Sequence, residues 1–253
     1  MNILVCIKRV PAAGGKMTLT ADEQEIETRH LGFTISPHEE CALEEALRLV
    51  HAQGGSAAAL TLGPPAAAEQ LRDAMALGID RAIHLETDGR EWDPMATAQA
   101  IVDAVRAEPA PFDLLLFGNE AADSGDYQVG IRVAHALDMP CLTGVKALAV
   151  QGGIATAKRE AAGGWEIFEV PLPAVFTVKE GLNLPRYPSL PGRLRAKKKA
   201  IERREPQRRE GGLTKLRLKL PPEQDKPAQV LGSGLEAVPK VVELLQKLGL
   251  LEA

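Results

Sequence analysis

Little in this chain is aromatic. Phe, Trp and Tyr make up 4% of the 253 residues, too few for the stacking platforms on which proteins lay out bases or sugars. Cysteine is scarce as well. Cys6, Cys41 and Cys141 lie far apart and form no Cys-x-x-Cys pair, which excludes a zinc ribbon or thioredoxin-type motif and fits a reducing compartment. Each is flanked by apolar or small residues, so buried packing is the expectation for all three. No apolar run approaches the ~20 residues of a membrane span. The opening MNILVCIKRV lacks the length and cleavage pattern of a secretory signal. The expectation is a soluble, cytoplasmic protein without membrane insertion.

Catalytic constellations are missing too. There is no GxSxG elbow, and His30, His38, His51, His84 and His135 lack metal-ligand spacing and a surrounding cysteine or carboxylate cluster. Neither a catalytic residue nor a metal site is expected. The pairs Glu39–Glu40 and Glu44–Glu45 fall on a predicted helix, where a solvated face is the simpler explanation. With a formal net charge of -4, the whole chain is no polyanion binder. Its basic residues nevertheless crowd into one tract holding Arg193, Arg195, Lys197, Lys198, Lys199, Arg203, Arg204, Arg208 and Arg209. Without interleaved aromatics, that tract fits an acidic protein surface better than nucleic acid.

What is present is an α/β rhythm in a chain of ordinary soluble composition, 45% hydrophobic and 25% charged. Asn2–Ile7 reads as a buried strand ended by Lys8–Arg9 and Pro11, and a hairpin-like excursion follows around Met17–Leu19 and Glu25–Glu27. Ser36-Pro37-His38-Glu39 supplies a capping serine, a proline at the first helical position and a glutamate three residues after the cap. The helix runs over Pro37–Gln53 and stops at Gly54-Gly55. Strands at Ser56–Leu62 and Ala82–Leu85 alternate with helices at Pro65–Leu77 and from Asp93-Pro94 to Ala107. Such alternation predicts βαβ units and a mostly parallel, doubly wound sheet with helices on both faces. After Pro140, strand-like runs at Val145–Val150, Ile154–Arg159 and Trp165–Val170 are separated by glycine pairs, as in antiparallel hairpins, and Pro173–Val178 returns to the main sheet.

The chain is organised around Phe112–Leu137. An apolar run at Leu114–Phe117 breaks at Gly118 into a small, acidic segment, and helical spacing resumes over Tyr127–Leu137. Ligands of open α/β sheets sit where such a loop leaves a strand, and a helix N-terminus offers free N–H groups to a phosphate. Neither GxxxxGK[ST] nor GxGxxG is present in the loop, so a nucleotide is suggested but not named; an ordinary connection without ligand is the alternative. Further on, prolines make Leu182–Gly192 a loop containing Leu184, Tyr187 and Leu190. These residues alone favour side chains tucked back into their own protein, against a stiffened loop that docks on a partner. Leu213–Leu220 alternates leucine with Lys and Arg as a half-exposed strand. Pro221–Ala228 reads as a linker, and a last amphipathic helix starts at Ser233-x-x-Glu236.

In order along the chain, ILVCIKRV, ISPHEECALEEALRL, ALGIDRAIHL, DLLLFGNEAADSGDYQVG, KREAAGGWEIFEVPLPAVFTV and LNLPRYPSLPGRLRAKKK resemble blocks of the electron-transfer flavoprotein beta-subunit family, the last two most specifically. The resemblance implies an adenine-nucleotide-binding, Rossmann-like domain over residues 1–220, with a recognition loop at 182–199. A linker and extended C-terminal helical arm, residues 221–253, would lie on an alpha subunit that holds most of the FAD site. It further implies a structural AMP held by Cys6, by Ser36, Pro37, His38 and Glu39, by Leu62, and by the loop Gly118, Asn119, Glu120, Ala121, Ala122, Asp123, Ser124, Gly125, Asp126, Tyr127, Gln128 and Val129.

The recognition loop changes meaning under the resemblance. Leu190 would anchor in a pocket of an acyl-CoA dehydrogenase, with Tyr187 and Pro191 beside it and Arg193, Arg195 and Lys198 following. Glu160 would contact the swinging flavin domain of the partner. The implied function is electron carriage rather than catalysis, from dehydrogenases such as those of fatty acid β-oxidation to a membrane-bound quinone oxidoreductase. One departure matters. AMP-binding members carry an Asn-Gln-Thr-Gly-like run where this chain has Tyr127-Gln128-Val129-Gly130. Gln-Val-Gly is similar to the electron-bifurcating branch, in which a second FAD replaces AMP and oxidises NADH. That second FAD and a stand-alone adenine-nucleotide-binding protein are the alternatives.

Overall fold

Ile3, Leu4, Val5 and Cys6 are all buried, which a strand achieves only when both faces of its sheet are covered. Ile3 and Val5 join one apolar cluster and Leu4 and Cys6 the other, so the alternation of the strand divides the core in two. The computed structural model describes residues 1–12, 17–210, 212–222 and 229–251.

The elements of the first half are β1 (Asn2–Cys6), β2 (Arg9–Pro11), β3 (Phe33–Ile35), α1 (Pro37–Gln53), β4 (Ser56–Gly63), α2 (Ala68–Leu77), β5 (Arg81–Glu86), α3 (Pro94–Arg106), β6 (Leu114–Gly118) and α4 (Val129–Ala136). Then come β7 (Cys141–Gln151), β8 (Ile154–Ala161), β9 (Gly164–Pro171), β10 (Ala174–Val178), α5 (Leu190–Lys198), β11 (Glu202–Arg204) and α6 (Val238–Lys247). Nine strands form one sheet in the order β11-β5-β4-β1-β6-β10-β7-β8-β9. Pairing is parallel from β11 to β7 and antiparallel through β7, β8 and β9. Residues of α1 and α2 fill the cluster on one face, and residues of α3 and α4 fill the other. The doubly wound α/β expectation holds.

Several local expectations are corrected. The chain does not leave regular structure at Arg9: β2 pairs with β3 in a separate two-stranded sheet. The hairpin-like excursion around Met17–Leu19 and Glu25–Glu27 is as expected, closed by an antiparallel bridge between Leu19 and Ile26. Cys6 and Cys41 are buried, but Cys141 is exposed, because Leu142 and Val145 hold the inward positions at the start of β7. The loop at Leu182–Gly192 ends earlier than its prolines suggest. Ser189 accepts a hydrogen bond from the Gly192 N–H at 3.2 Å, and Pro191 presets the first turn, so α5 begins at Leu190.

Leu213–Leu220 forms no strand. Its cations turn inward instead, Lys215 to Glu91 at 2.6 Å and Arg217 to Glu23 at 3.4 Å, leaving Leu213 and Leu216 exposed. The edge strand β11 lies inside what reads as a basic tract. Arg204 is drawn in by Glu108 and Glu202 and by the Ala104 carbonyl.

The chain divides into two units, Met1–Arg217 and Leu218–Ala253. In the second, the Ser233 side chain caps nothing, and a 3-10 turn at Gly234–Ala237 intervenes, so α6 starts a turn later with Pro239 in its first turn. Most of the expected linker, 223–228, lies outside the described residues. None of the residues of α6 is buried, and Val238, Val241, Val242 and Leu248 are exposed. Among the described residues no helix is long and apolar enough to cross a membrane.

Candidate functional site

Strand order sets the site. From β1 the chain passes through α1 to β4 on one side, whereas β6 lies on the other side of β1 with α4 on the opposite face. The connections leaving β1 and β6 therefore diverge, and the gap outside their carboxyl ends is the crevice where ligands of open α/β sheets bind. Register places Cys6 level with Leu60 of β4 and Phe117 of β6. Leu62 and Gly118 thus lie just beyond, at the same edge.

Every residue expected at the nucleotide site is supplied by this edge: Cys6 ends β1, Ser36–Glu39 open α1, Leu62 nears the end of β4, and Gly118–Val129 run from β6 into α4. The structure joins three of these segments directly. Ser36 Oγ donates to the Glu120 carbonyl at 3.5 Å, Lys8 N–H donates to Glu39 Oε2 at 2.7 Å, and Lys8 Nζ reaches Asp123 Oδ1 at 2.8 Å. At Gly118 an added Cβ would stand 2.7 Å from Glu39 Cγ and 3.2 Å from both His38 Cβ and the Glu120 carbonyl oxygen. A residue without a side chain is what lets α1 and the loop meet there. Gly130 does the same at the start of α4, where a Cβ would lie 2.8 Å from Thr177 Cγ2. Helix α4 starts at Val129 rather than Tyr127, because Tyr127 takes a positive φ of 57° before the helix.

The electrostatics are unusual for α/β crevices. Glu39 is buried, and burial pushes its carboxyl up to about 8, partly offset by the Lys8 N–H and the Lys8 charge. The carboxyl is mostly protonated at neutral pH, so Glu39 itself adds little negative charge to the crevice. Burial and Glu39 together push the Cys6 thiol far up, which removes it as a thiolate nucleophile. His38 is held below its ordinary value, chiefly by burial, and its Nδ1 is buried without a hydrogen-bond partner. Interaction with Glu120 holds the Tyr127 hydroxyl above its ordinary value.

Beside the loop lies a cleft of about 260 Å³ lined by Asn119, Tyr127, Ile131, Thr143, Gly144, Arg159, Glu160 and Lys179. Glu160 therefore borders the loop, on β8, with its carboxylate 2.9 Å from Lys146 Nζ. No cluster of three or more His, Cys, Asp or Glu suited to a metal ion occurs among the described residues.

The residues expected to recognise a partner gather elsewhere, at α5. Tyr187 and Leu190 are 94% and 71% exposed, and Pro191, Arg193, Arg195 and Lys198 are exposed around them. Sequence reasoning missed what holds this segment. Glu44 and Glu45, read as a solvated face, are buried on α1. Glu44 accepts a bidentate fork from Arg186 at 2.7 and 2.8 Å, and Asn183 Nδ2 donates to Glu45 Oε2 at 2.9 Å and to the Cys41 carbonyl at 3.0 Å. Glu44 is thus charge-paired with Arg186, whereas Glu45 accepts from a neutral amide and lies 3.5 Å from Arg48 of its own helix.

Fold and crevice define a doubly wound α/β protein with its ligand-competent edge at the switch point. Residues 25–208 match the family model described as the electron transfer flavoprotein domain. The chain is 35% identical over 255 residues to an electron transfer flavoprotein subunit beta of Bacillus subtilis, covering 97% of this chain and 98% of that one. Similarity extends to the subunit beta of Syntrophomonas wolfei, at 34% over 95% of this chain and 92% of the relative. The mitochondrial subunit beta of Oryza sativa is 36% identical over 82% of this chain and 83% of its own. The chain belongs to the electron transfer flavoprotein family, in its beta-subunit branch.

Proposed function

We propose that this chain is the beta half of a heterodimeric electron carrier and that the crevice at β1 and β6 holds an AMP with a structural role. The single observation that carries the proposal is the meeting of Lys8, Ser36–Glu39 and the Gly118–Val129 loop at the switch point, across a glycine that leaves no room for a side chain. The fit to a nucleotide phosphate is good. The first N–H groups of α4 have no partner inside their helix, Lys8 supplies a cation, and Glu39 is largely neutral.

In this reading the redox FAD belongs mainly to the alpha subunit, and this chain has no catalytic residue. Leu190 and Tyr187, projecting from a segment clamped to α1, dock acyl-CoA and related flavin dehydrogenases, and electrons pass through the FAD to a quinone oxidoreductase. The uncovered face of α6 lies on the alpha subunit as an arm, in a cytoplasmic complex. Glu160, beside the nucleotide cleft, contacts the mobile flavin domain.

A second reading, a second FAD in place of AMP, is favoured by Gln128-Val129-Gly130 in the loop and by the adjoining cleft of about 260 Å³; Tyr127 fits neither branch. Denaturing the purified heterodimer and counting the released nucleotides decides between them. One FAD and one AMP are expected. Two FAD and no AMP would make this loop a redox site, and FAD alone would leave a bare structural crevice.

A further inference from the structure

Lys8, which supplies a cation in the reading above, spans the crevice by a particular route. Its backbone is fixed first: the N–H donates to the buried Glu39 Oε2 at 2.7 Å. From that point its side chain crosses to the loop after β6, where Nζ donates to Asp123 Oδ1 at 2.8 Å and to Ser124 Oγ at 3.3 Å. The carboxylate is itself held, because Asp123 Oδ1 also accepts the Ser124 N–H at 2.8 Å. An ammonium has three N–H donors, and these two bonds leave one free. The pair is not sealed: side-chain exposure is 36% for Lys8 and 20% for Asp123.

Other cations nearby are placed differently. The Arg9 guanidinium is stacked over Phe33, 3.2 Å from the ring centroid. Arg132 is spent on Gln128 Oε1, at 3.1 and 2.8 Å. Lys179 lines the neighbouring cleft. Among the described residues Lys8, in the link between β1 and β2, is the lysine whose side chain enters the loop from outside it, into a segment carrying Glu120, Asp123 and Asp126. A loop with three carboxylates repels a phosphate unless a positioned cation compensates.

We propose that Lys8 is the residue that makes this crevice select a phosphate-bearing nucleotide over its nucleoside, and that Asp123 and Ser124 are positioning residues that aim its ammonium. The inference rests on the nucleotide reading of the loop. A lysine suits the task because it acts as a compact charge reaching from outside the loop. Its removal takes away a side-chain charge aimed at the phosphate and leaves the unpaired N–H groups of α4 in place.

The test is equilibrium exchange of labelled AMP and labelled adenosine into the purified heterodimer, for wild type, Lys8→Met, Lys8→Arg, Asp123→Asn and Lys179→Met. Should the loop hold a second FAD, retention of FAD against riboflavin is read in the same way. Expected for Lys8→Met is a loss of about tenfold or more in AMP affinity, with adenosine within about twofold of wild type. Lys8→Arg restores part of the loss, Asp123→Asn gives a smaller one, and Lys179→Met gives none. AMP affinity unchanged in Lys8→Met, or AMP and adenosine lost together, overturns the inference while the nucleotide reading stands. Wild type that takes up neither pair overturns the nucleotide reading itself, and this inference with it.

Discussion

Two helices of this protein start on the same device, a short polar residue followed by proline, and use it differently. At α3 the Asp93 carboxylate accepts from the N–H groups of Met95 and Ala96, at 2.9 and 3.3 Å, and the cap serves its own helix. At α1 the Ser36 hydroxyl makes no such bond and donates instead to the Glu120 carbonyl on another loop. Glu39, three residues on, does not stay in solvent but lies buried against the Lys8 N–H. The α3 start is a structural cap, while the α1 start is turned outward from its helix toward the crevice. A cap residue withdrawn from its own helix here ties that helix to the loop across the crevice.

Breaking the α1 side should have the larger effect. The Glu39 carboxyl, ordinarily near 4.5, is raised to about 8 in the folded protein. Between those values the folded chain keeps a proton that the unfolded chain releases, so its contribution is complete below 4.5 and is lost as pH rises through about 8. Glu39→Gln should remove a fall in stability on the order of 1 kcal/mol per pH unit across that window. Urea unfolding of variant and wild type at pH 5.5 and 8 measures it; a difference that does not change with pH would contradict the buried-acid account.

Asp93→Ala comes next, with an expected cost of about 1 kcal/mol and unaltered nucleotide content. Nucleotide loss in this variant would erase the contrast between the two starts. Ser36→Ala should cost less, below about 0.5 kcal/mol, because its helix loses no cap. Its effect should appear in nucleotide retention, and thermal denaturation beside nucleotide analysis separates the two.

Smallest in stability is Leu190→Ala, at a third helix start, where the leucine is exposed and Ser189 does the capping. Unfolding should be unchanged and flavin content equal, with slower reduction by dehydrogenases. Rapid-mixing kinetics indistinguishable from wild type would remove the docking role.

The parallel half of the fold was legible because local signals agreed with the global pattern. Proline and glycine punctuation bounded α1 at Pro37 and Gly54, and apolar runs marked β1, β4 and β6. The crevice was legible for the same reason, since Gly118 breaks an apolar strand just before a helix. What escaped were features made by distant partners. Glu44 reads as a surface acid until Arg186, 142 residues away, is seen to reach it. The leucines at 213 and 216 read as an inward face until the lysine and arginine between and after them are found paired to Glu91 and Glu23. Charge on a helix or strand says which groups want partners, and only the folded chain says where those partners are.

Gly192 has a consequence for how this protein can diversify. A Cβ there would stand 2.4 Å from the Ala76 carbonyl oxygen, so α5 rests on the end of α2 at backbone contact. Position 192 is thus closed to variation, while positions 187 and 190, five and two residues upstream, face open solvent and carry almost none of the folding load. A mutational scan or a randomised library of this segment should show one intolerant site set among permissive ones. The exposed tip can then change by single substitutions while the Gly192 backbone contact is held constant.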